Sequence, residues 1–403
     1  MARDTDAAIQ AALNELSGRI DAVLPTNIGW PAASDVDFSP LAPFFERHLL
    51  NNLGDPFTEG AYPQNTKKLE AAAVTFVADL MRAPANDRWG YVTTGAGEGN
   101  LYALQLARGV YPRGIVYYPE AAHFSVDKSV DLLGMPSIRV RADDTGQMDL
   151  DDFEAQVDRN RDRPVIVVAN IGTTMTEAVD DVRTIHQILD SLAIRRRFIH
   201  ADGALSGIPL ALMAPEDRPG FDFADGADSV IVSGHKFLGT PMPCGVVVVK
   251  ASHRAQLTRT GAFTGSPDTT ITCSRSGHAA LMIWYALCTY GVDGLRTRAE
   301  RSRELAAYTH KRLVDLGWNA WRNPYGFTVI LDTPPPVVTE KWKLASTHGR
   351  SHIICMPGVT REQIDNFVAD LRVVADPVPV GASRQSTHNG VAPVLRTATP
   401  ATA

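Results

Sequence analysis

Apolar residues recur at helical spacing near the amino terminus. Ile9, Leu13, Leu16, Ile20 and Leu24 lie three or four positions apart and predict an amphipathic helix over 7–24. Residues 25–65 are rich in Pro, Gly and Asn and predict an irregular arm; inside it, Gly54 and Pro56 make NNLGDPF turn chemistry. From Lys67 the pattern becomes α/β. A helix over 67–82 leads into GYVTTGAGEGN and then a helical run, LYALQLARGVY. Short β-type segments follow: GIVYYP (114–119), SIRVR (137–141), VIVVANI (165–171), FIHAD (198–202), SVIVSG (229–234) and GVVVVK (245–250). Most are near-continuous apolar runs, as parallel strands covered on both faces require. Helical patterns such as VRTIHQILDSLAI (182–194) separate several of them, which predicts an open, largely parallel sheet with helices on both sides.

Residues 281–316 read as strongly helical, and a small α+β domain follows, with a strand-like FTVILD, a helical KWKLAS, HIICMP and TREQIDNFVADLRVVA. The organisation expected is an N-terminal helix and arm (1–65), a large domain (66–290) and a small C-terminal domain (291–376). Residues 377–403 lack periodicity, are rich in Pro, Ala, Ser and Thr, and predict a disordered tail. There is no internal repeat.

Composition narrows the class. Apolar content of 44% with 21% charge over 403 residues suits a globular protein with a sizeable core. A net charge of −6 gives no electrostatic reason to expect nucleic acid or an anionic membrane as partner. Cys244, Cys273, Cys288 and Cys355 are scattered, without the spacing of a zinc site or a disulfide framework, and suit a reducing cytoplasm. MARDTDAAIQ has no apolar core of a signal peptide, and no apolar run approaches the ~18–20 residues of a transmembrane helix.

The strongest chemical signal is SGHK, Ser233 to Lys236, after an apolar strand and before FLGTPMPCG. A lysine at a strand end beside a Gly-rich loop can condense with an aldehyde, because burial lowers its pKa and frees the amine. Taken alone, such a lysine is more often a surface residue at a loop start. Asp202 ends the FIHAD strand, and strand ends converge on the crevice of an open α/β sheet. A carboxylate there can keep a pyridinium nitrogen protonated and make the ring an electron sink. Alone it is more often a cap or turn residue. TTGAGEGN (93–100) lies between strand and helix, where glycines allow close backbone approach and a helix N-terminus offers N–H groups to a phosphate. Most Gly-rich turns simply turn the chain, but the three features in this order are hard to obtain by accident. His123, in AAHFSVDKS, could lie over a cofactor ring or be structural. The NIGTT segment (170–174), with Thr173, ends another strand, and its hydroxyls could reach cofactor oxygens or cap the following turn.

Together these segments resemble the group II pyridoxal-5′-phosphate (PLP) dependent amino-acid decarboxylases, in particular the branch of bacterial histidine decarboxylases and plant serine decarboxylases. The likeness runs from about Phe38 to Leu371 and includes NNLGDPF, WGYVTTGAGEGN, HFSVDKS, NIGTTM, HADGALSG, VSGHKFLGTPMPCG, SRSGHAALMIWYAL and MPGVTREQIDNF. It implies PLP fold type I: a large domain with a mostly parallel seven-stranded sheet flanked by helices, plus a small C-terminal α+β domain. It also implies a homodimer with active sites at the subunit interface. By position, Lys236 holds PLP as a Schiff base, Asp202 pairs with the pyridine nitrogen, His123 stacks on the ring and Ala204 supports its other face. Ser233 and His235 help bind the phosphate, Gly95, Ala96 and Gly97 form its cup, and Thr173 adds a cofactor contact. Tyr62 and Asn65 on the arm, with Phe263 in the 261–270 loop, border the substrate side chain.

Two departures from the family pattern matter. The family loop reads like TNGGTEGN or TSGGSEAN, with a hydroxyl where this chain has Gly97. The missing phosphate hydrogen bond weakens cofactor affinity by ~1–3 kcal/mol if uncompensated. Related enzymes also carry, about where this chain has Phe263, a loop tyrosine that reprotonates the α-carbon after CO₂ leaves. Phenylalanine has no proton to give, so decarboxylation with oxidative deamination to an aldehyde is the alternative to amine formation. Another fold type I reaction, such as transamination or retro-aldol cleavage, stays open, and a non-enzymatic scaffold fits poorly with Lys236, Asp202 and His123 kept together. Histidine is the first substrate expected; HADGAL is shared more with the serine-decarboxylating branch, and aliphatic amino acids also stay open.

Overall fold

The computed structural model describes residues 2–256, 259–261 and 265–375. Phe263, read as the residue standing for a loop tyrosine, and residues 377–403, read as a disordered tail, lie outside the described residues. Strands β1 (Trp89–Thr93), β2 (Ile115–Pro119), β3 (Ser137–Val140), β4 (Val165–Asn170), β5 (Arg197–Asp202), β6 (Ser229–Ser233) and β7 (Gly245–Val249) form one sheet. Their order is β1-β7-β6-β5-β4-β2-β3. Only β7 runs against its neighbours; the other pairs are parallel.

Every residue of β4, β6 and β7 is buried, so these strands carry apolar runs and not alternation. Their side chains still divide between two cores. Val165, Val167, Ala169, Val230 and Val232 enter one, while Ile166, Val168, Phe198 and Ile231 enter the other. Helices α2 (Lys67–Leu80), α5 (Leu150–Arg159), α6 (Val182–Ser191) and α7 (Gly277–Asp315) supply the first core. Helices α3 (Ala96–Val110) and α4 (Ser125–Leu133) supply the second. This is the mostly parallel, helix-flanked sheet that the sequence predicts. α7 is interrupted at Gly291, whose φ of 55° is a conformation that a side chain would oppose.

A second sheet follows, β8 (Ala320–Trp321), β9 (Thr328–Asp332), β10 (Ser346–Thr347) and β11 (Arg350–Ile354), antiparallel throughout in the order β8-β9-β11-β10. Helix α8 (Arg361–Ala375) packs Ile364, Phe367 and Leu371 with Val329 and Leu331. KWKLAS is helical only at its first residue: the helix is Pro336–Lys341 and ends there. Lys343 has φ 52°, which a right-handed helix cannot accommodate, and Ser346 already begins β10.

The arm is held to the sheet by buried polar groups. Asn52 Nδ2 donates to Glu70 Oε2 at 2.7 Å, and Glu70 Oε1 accepts from Val92 N at 2.8 Å and from Arg275. Asp55 Oδ2 accepts from Trp89 Nε1 at 3.0 Å and from Arg254 at 2.7 Å. At the amino terminus, α1 (Ala2–Val23) leaves Ile9, Leu13, Leu16 and Ile20 exposed. Among the described residues, no helix is long and apolar enough to cross a membrane.

Candidate active site

Asn170, Asp202 and Ser233 are the last residues of β4, β5 and β6. Register pairs Asn170 with Asp202, and it pairs Ser233 with Gly245, which in turn faces Thr93 at the end of β1. One edge of the sheet therefore collects the polar strand ends, where open α/β sheets bind ligands. A cavity of about 190 Å³ opens there. Its lining contains Lys236, Asp202, His123, Ala204, Ser233, His235, Gly95, Ala96, Gly97 and Thr173, and it adds Asn170, Gly172 and Thr174.

Lys236 sits in the turn after β6, its carbonyl accepting from Ala33 N at 3.0 Å and Gly239 N at 3.1 Å. Desolvation lowers the pKa of its amine below the usual lysine value, and the nearby Asp202 only partly opposes this. More of the amine is thus in the nucleophilic free-base form than for an exposed lysine.

The phosphate side of the pocket is built at the start of α3. Gly95 caps the helix with φ 151°, open only to glycine without strain, and the first-turn amides of Ala96 and Gly97 have no carbonyl one turn earlier to bond. Glu98 does not compete for them: Oε2 accepts from Thr94 N and Oγ1, both at 2.8 Å, and Oε1 accepts from Tyr91 OH at 2.9 Å. Ser233 Oγ and Asn170 Nδ2 are buried with no partner among the described residues. Burial lowers the pKa of His235, whose Nδ1 lies 3.1 Å from the Cys244 carbonyl. Orphaned donors beside open amides suit a phosphorylated, oxygen-bearing ring such as PLP. At Gly97 an added Cβ would stand 3.6 Å from Ser125 Cβ, so the missing hydroxyl is not excluded by space.

Asp202 is held from two sides. Oδ2 accepts from Asn100 Nδ2 at 2.8 Å, and Oδ1 accepts from Ala204 N at 3.2 Å. Asn100 Nδ2 also lies 3.0 Å from Ser125 Oγ, which is 2.8 Å from His123 Nδ1. Ser125 N donates to the same Nδ1 at 3.2 Å, so the neutral His123 ring carries its proton on Nε2. Desolvation lowers the His123 pKa; Asp202 opposes this, while Lys236 and Lys128 reinforce it.

The remaining expectations divide. Thr173 lines the cavity, but its Oγ1 accepts from Ala178 N at 2.9 Å and lies 2.8 Å from Thr176 Oγ1. Its hydroxyl therefore caps the turn, the second of the two roles open to it. Tyr62 and Asn65 are not brought to Lys236 within one protomer. They line a separate cavity of about 1110 Å³ with Phe57, Leu281 and Trp284, and Asn65 Nδ2 donates to the Tyr62 carbonyl at 2.7 Å. Sequence reasoning did not single out Asn100, Ser125, His200 or Asn170. Each stands inside a motif already marked, but the contacts that give it meaning are long-range.

A family model described as "Pyridoxal-dependent decarboxylase conserved domain" matches residues 50–318. The chain is 41% identical over 359 residues to histidine decarboxylase of Mesorhizobium japonicum, covering 89% of this chain and 96% of that protein. It is 37% identical to serine decarboxylase 2 of Oryza sativa subsp. japonica, covering 86% of this chain and 74% of that protein. The fold matches L-methionine decarboxylase from Streptomyces sp. 590, solved in its internal aldimine form, with TM-score 0.85 and 26% identity over 94% of this chain and 96% of that one. These relatives are decarboxylases by name and lend nothing to the oxygen-consuming alternative. A matched domain across most of the chain, with a pocket suited to the cofactor, places this protein in the pyridoxal-dependent decarboxylase family, as a PLP-dependent amino-acid carboxy-lyase.

Proposed function

We propose that the chain converts L-histidine to histamine and CO₂, as a homodimer in the cytoplasm. The observation that carries the substrate is the 41% identity to a histidine decarboxylase across nearly the full length of both proteins. Lys236 would hold PLP covalently, Asp202 would face its ring nitrogen, and His123 and Ala204 would flank the ring. Ser233, His235 and the amides of Ala96 and Gly97 would take the phosphate. Bound in this way, PLP supplies a protonated aromatic ring that accepts the electron pair of the breaking bond between Cα and the carboxylate. Asp202 serves that chemistry by holding negative charge opposite the ring nitrogen, with Asn100 and Ala204 fixing its two oxygens.

The dimer is supported by α1. A single helix with Ile9, Leu13, Leu16 and Ile20 in water lacks the tertiary burial that keeps an amphipathic helix folded. Exposed Phe44, Phe57 and Tyr62 border the 1110 Å³ cavity, a second apolar surface for a partner, and there Tyr62 and Asn65 would approach the substrate. The cytoplasm is supported by four free cysteines.

The deciding experiment incubates holoenzyme with each of the twenty amino acids and follows CO₂, H₂O₂ and product mass. Histamine with CO₂ and no H₂O₂ is expected. Turnover of serine or an aliphatic amino acid without histidine would overturn the substrate, and an aldehyde with H₂O₂ would overturn amine formation.

A further inference from the structure

Behind the pocket, a continuous buried polar chain runs Ser229–His200–Asn100, then forks to Asp202 and to Ser125–His123. Asn100 and His200 are fully buried, so water does not reach the link between them, while His123 at the far end is half-buried at the pocket. Asn100 Nδ2 has two hydrogens and two acceptors, Asp202 Oδ2 at 2.8 Å and Ser125 Oγ at 3.0 Å. Its Oδ1 lies 2.9 Å from His200 Nε2, and His200 Nδ1 lies 2.8 Å from Ser229 Oγ. Since Oδ1 can only accept, His200 Nε2 must carry the proton and Nδ1 must accept from the Ser229 hydroxyl. Burial agrees with this single-proton ring, holding the His200 pKa down to about 4.

The arrangement makes the orientation of one amide decisive. Rotated by half a turn, Asn100 would place Oδ1 against Asp202 Oδ2 at 2.8 Å, oxygen facing carboxylate oxygen, and would turn its NH₂ to His200 Nε2, which would then have to carry its proton on Nδ1. The contact with the carboxylate cannot be satisfied in a dry interior whichever tautomer His200 takes, so Asp202 sets the orientation of the amide and the His200 N–H completes it at Oδ1. The same amide reaches His123 through Ser125, so the group beneath the ring nitrogen and the group over the ring face are held by one side chain.

We propose that Asn100 is a positioning residue: its amide, hydrogen-bonded from behind by His200, holds the Asp202 carboxylate and the His123 ring in one relative arrangement toward the bound cofactor. This rests on the assignment of Asp202 to the ring nitrogen. The titratable groups facing Asp202 are Lys236, His123 and His200, with Lys128 acting on His123.

The test compares parent holoenzyme with Asn100→Ala, Asn100→Asp, His200→Leu, His200→Gln and Asp202→Asn. The readouts are PLP affinity by equilibrium dialysis, the pH titration of the visible band of the lysine-bound cofactor, and kcat and KM. Asn100→Ala and His200→Leu are expected to weaken PLP about 10-fold, the effect of one hydrogen bond to a charged group, and to lower kcat about 10-fold at nearly constant KM. Both should also shift the titration of the band. His200→Gln keeps an N–H donor and should stay within about 3-fold of the parent. Parental behaviour of Asn100→Ala in all three readouts overturns the proposal, as does a His200→Gln variant impaired like His200→Leu. If Asn100→Ala does not fold, the isosteric Asn100→Asp decides, and parental behaviour there overturns the proposal. Asp202→Asn separates the two layers. If it is parental, the ring-nitrogen assignment itself fails; if it is impaired while the Asn100 variants are parental, only the positioning role fails.

Discussion

Glu177, in the loop after β4, accepts the backbone N–H groups of Phe327 and Thr328 on Oε2, at 2.9 and 2.8 Å. Oε1 accepts from Ser206 Oγ at 2.8 Å. A buried carboxylate thus ties the active-site edge of the large sheet to the strand β9 of the small one. Glu177→Ala leaves two amides and a hydroxyl without their acceptor. A stability loss of about 3 kcal/mol is expected from urea unfolding of the holoenzyme. A loss within measurement error would mean that this tie does not hold the two sheets together.

Asp180 should make stability depend on pH. It is buried, accepting from Met148 N and Asn170 N at 2.7 Å, and burial pushes its pKa from 3.8 up to about 7. The folded state therefore binds more protons than the unfolded state between those values. The corresponding stability is fully present below pH 3.8 and is lost as pH rises through about 7, by an amount on the order of 4 kcal/mol. Asp180→Asn has no such titration, so its stability deficit relative to the parent should narrow between pH 5 and pH 8. A deficit independent of pH in thermal unfolding would show that Asp180 is already ionised throughout.

Lys236→Ala removes the amine that the pocket holds at lowered pKa. Amine product formation should fall at least ~10³-fold, since covalent catalysis is lost along with its nucleophile. Borohydride reduction followed by mass spectrometry should find the cofactor on Lys236 in the parent and on no lysine in the variant. Cofactor trapped on another residue would reject the assignment.

Gly97→Ser restores a hydroxyl at the position where the family pattern has one. An added Cβ meets Ser125 Cβ at an ordinary 3.6 Å, and serine is a better helix former than glycine. PLP affinity measured by equilibrium dialysis should rise about 10-fold. Unchanged affinity would mean that Ser233 and the amides of Ala96 and Gly97 already satisfy the phosphate.

Leu13→Glu together with Ile20→Glu puts charge into the exposed stripe of α1. Light scattering after size exclusion should find two chains per particle in the parent and a shift to single chains in the double variant. A parent that is monomeric and fully active would remove the dimer.

The sequence by itself determined the secondary structure of the large sheet and the identity of its chemical groups. A strand buried on both faces has to be apolar at consecutive positions, so VIVVANI, SVIVSG and GVVVVK announce themselves. Asp202 and the SGHK lysine follow such strands, and they stood out only in combination with each other and the Gly-rich 93–100 loop. Tertiary structure alone decided what those groups touch. Asn100 and Asp202 are 102 positions apart, and no local period records that their side chains meet. The same holds for Ser233 and Asn170, whose missing partners are visible only once the strands lie side by side. Where local pattern conflicted with backbone geometry, geometry prevailed: KWKLAS has helical composition but contains Lys343 at positive φ. The arm shows the same limit, since the family resemblance made Tyr62 and Asn65 candidates while chain packing set them in a cavity apart from Lys236. Composition and period are properties of neighbours in sequence, and a catalytic pocket is made by residues that become neighbours only through the fold.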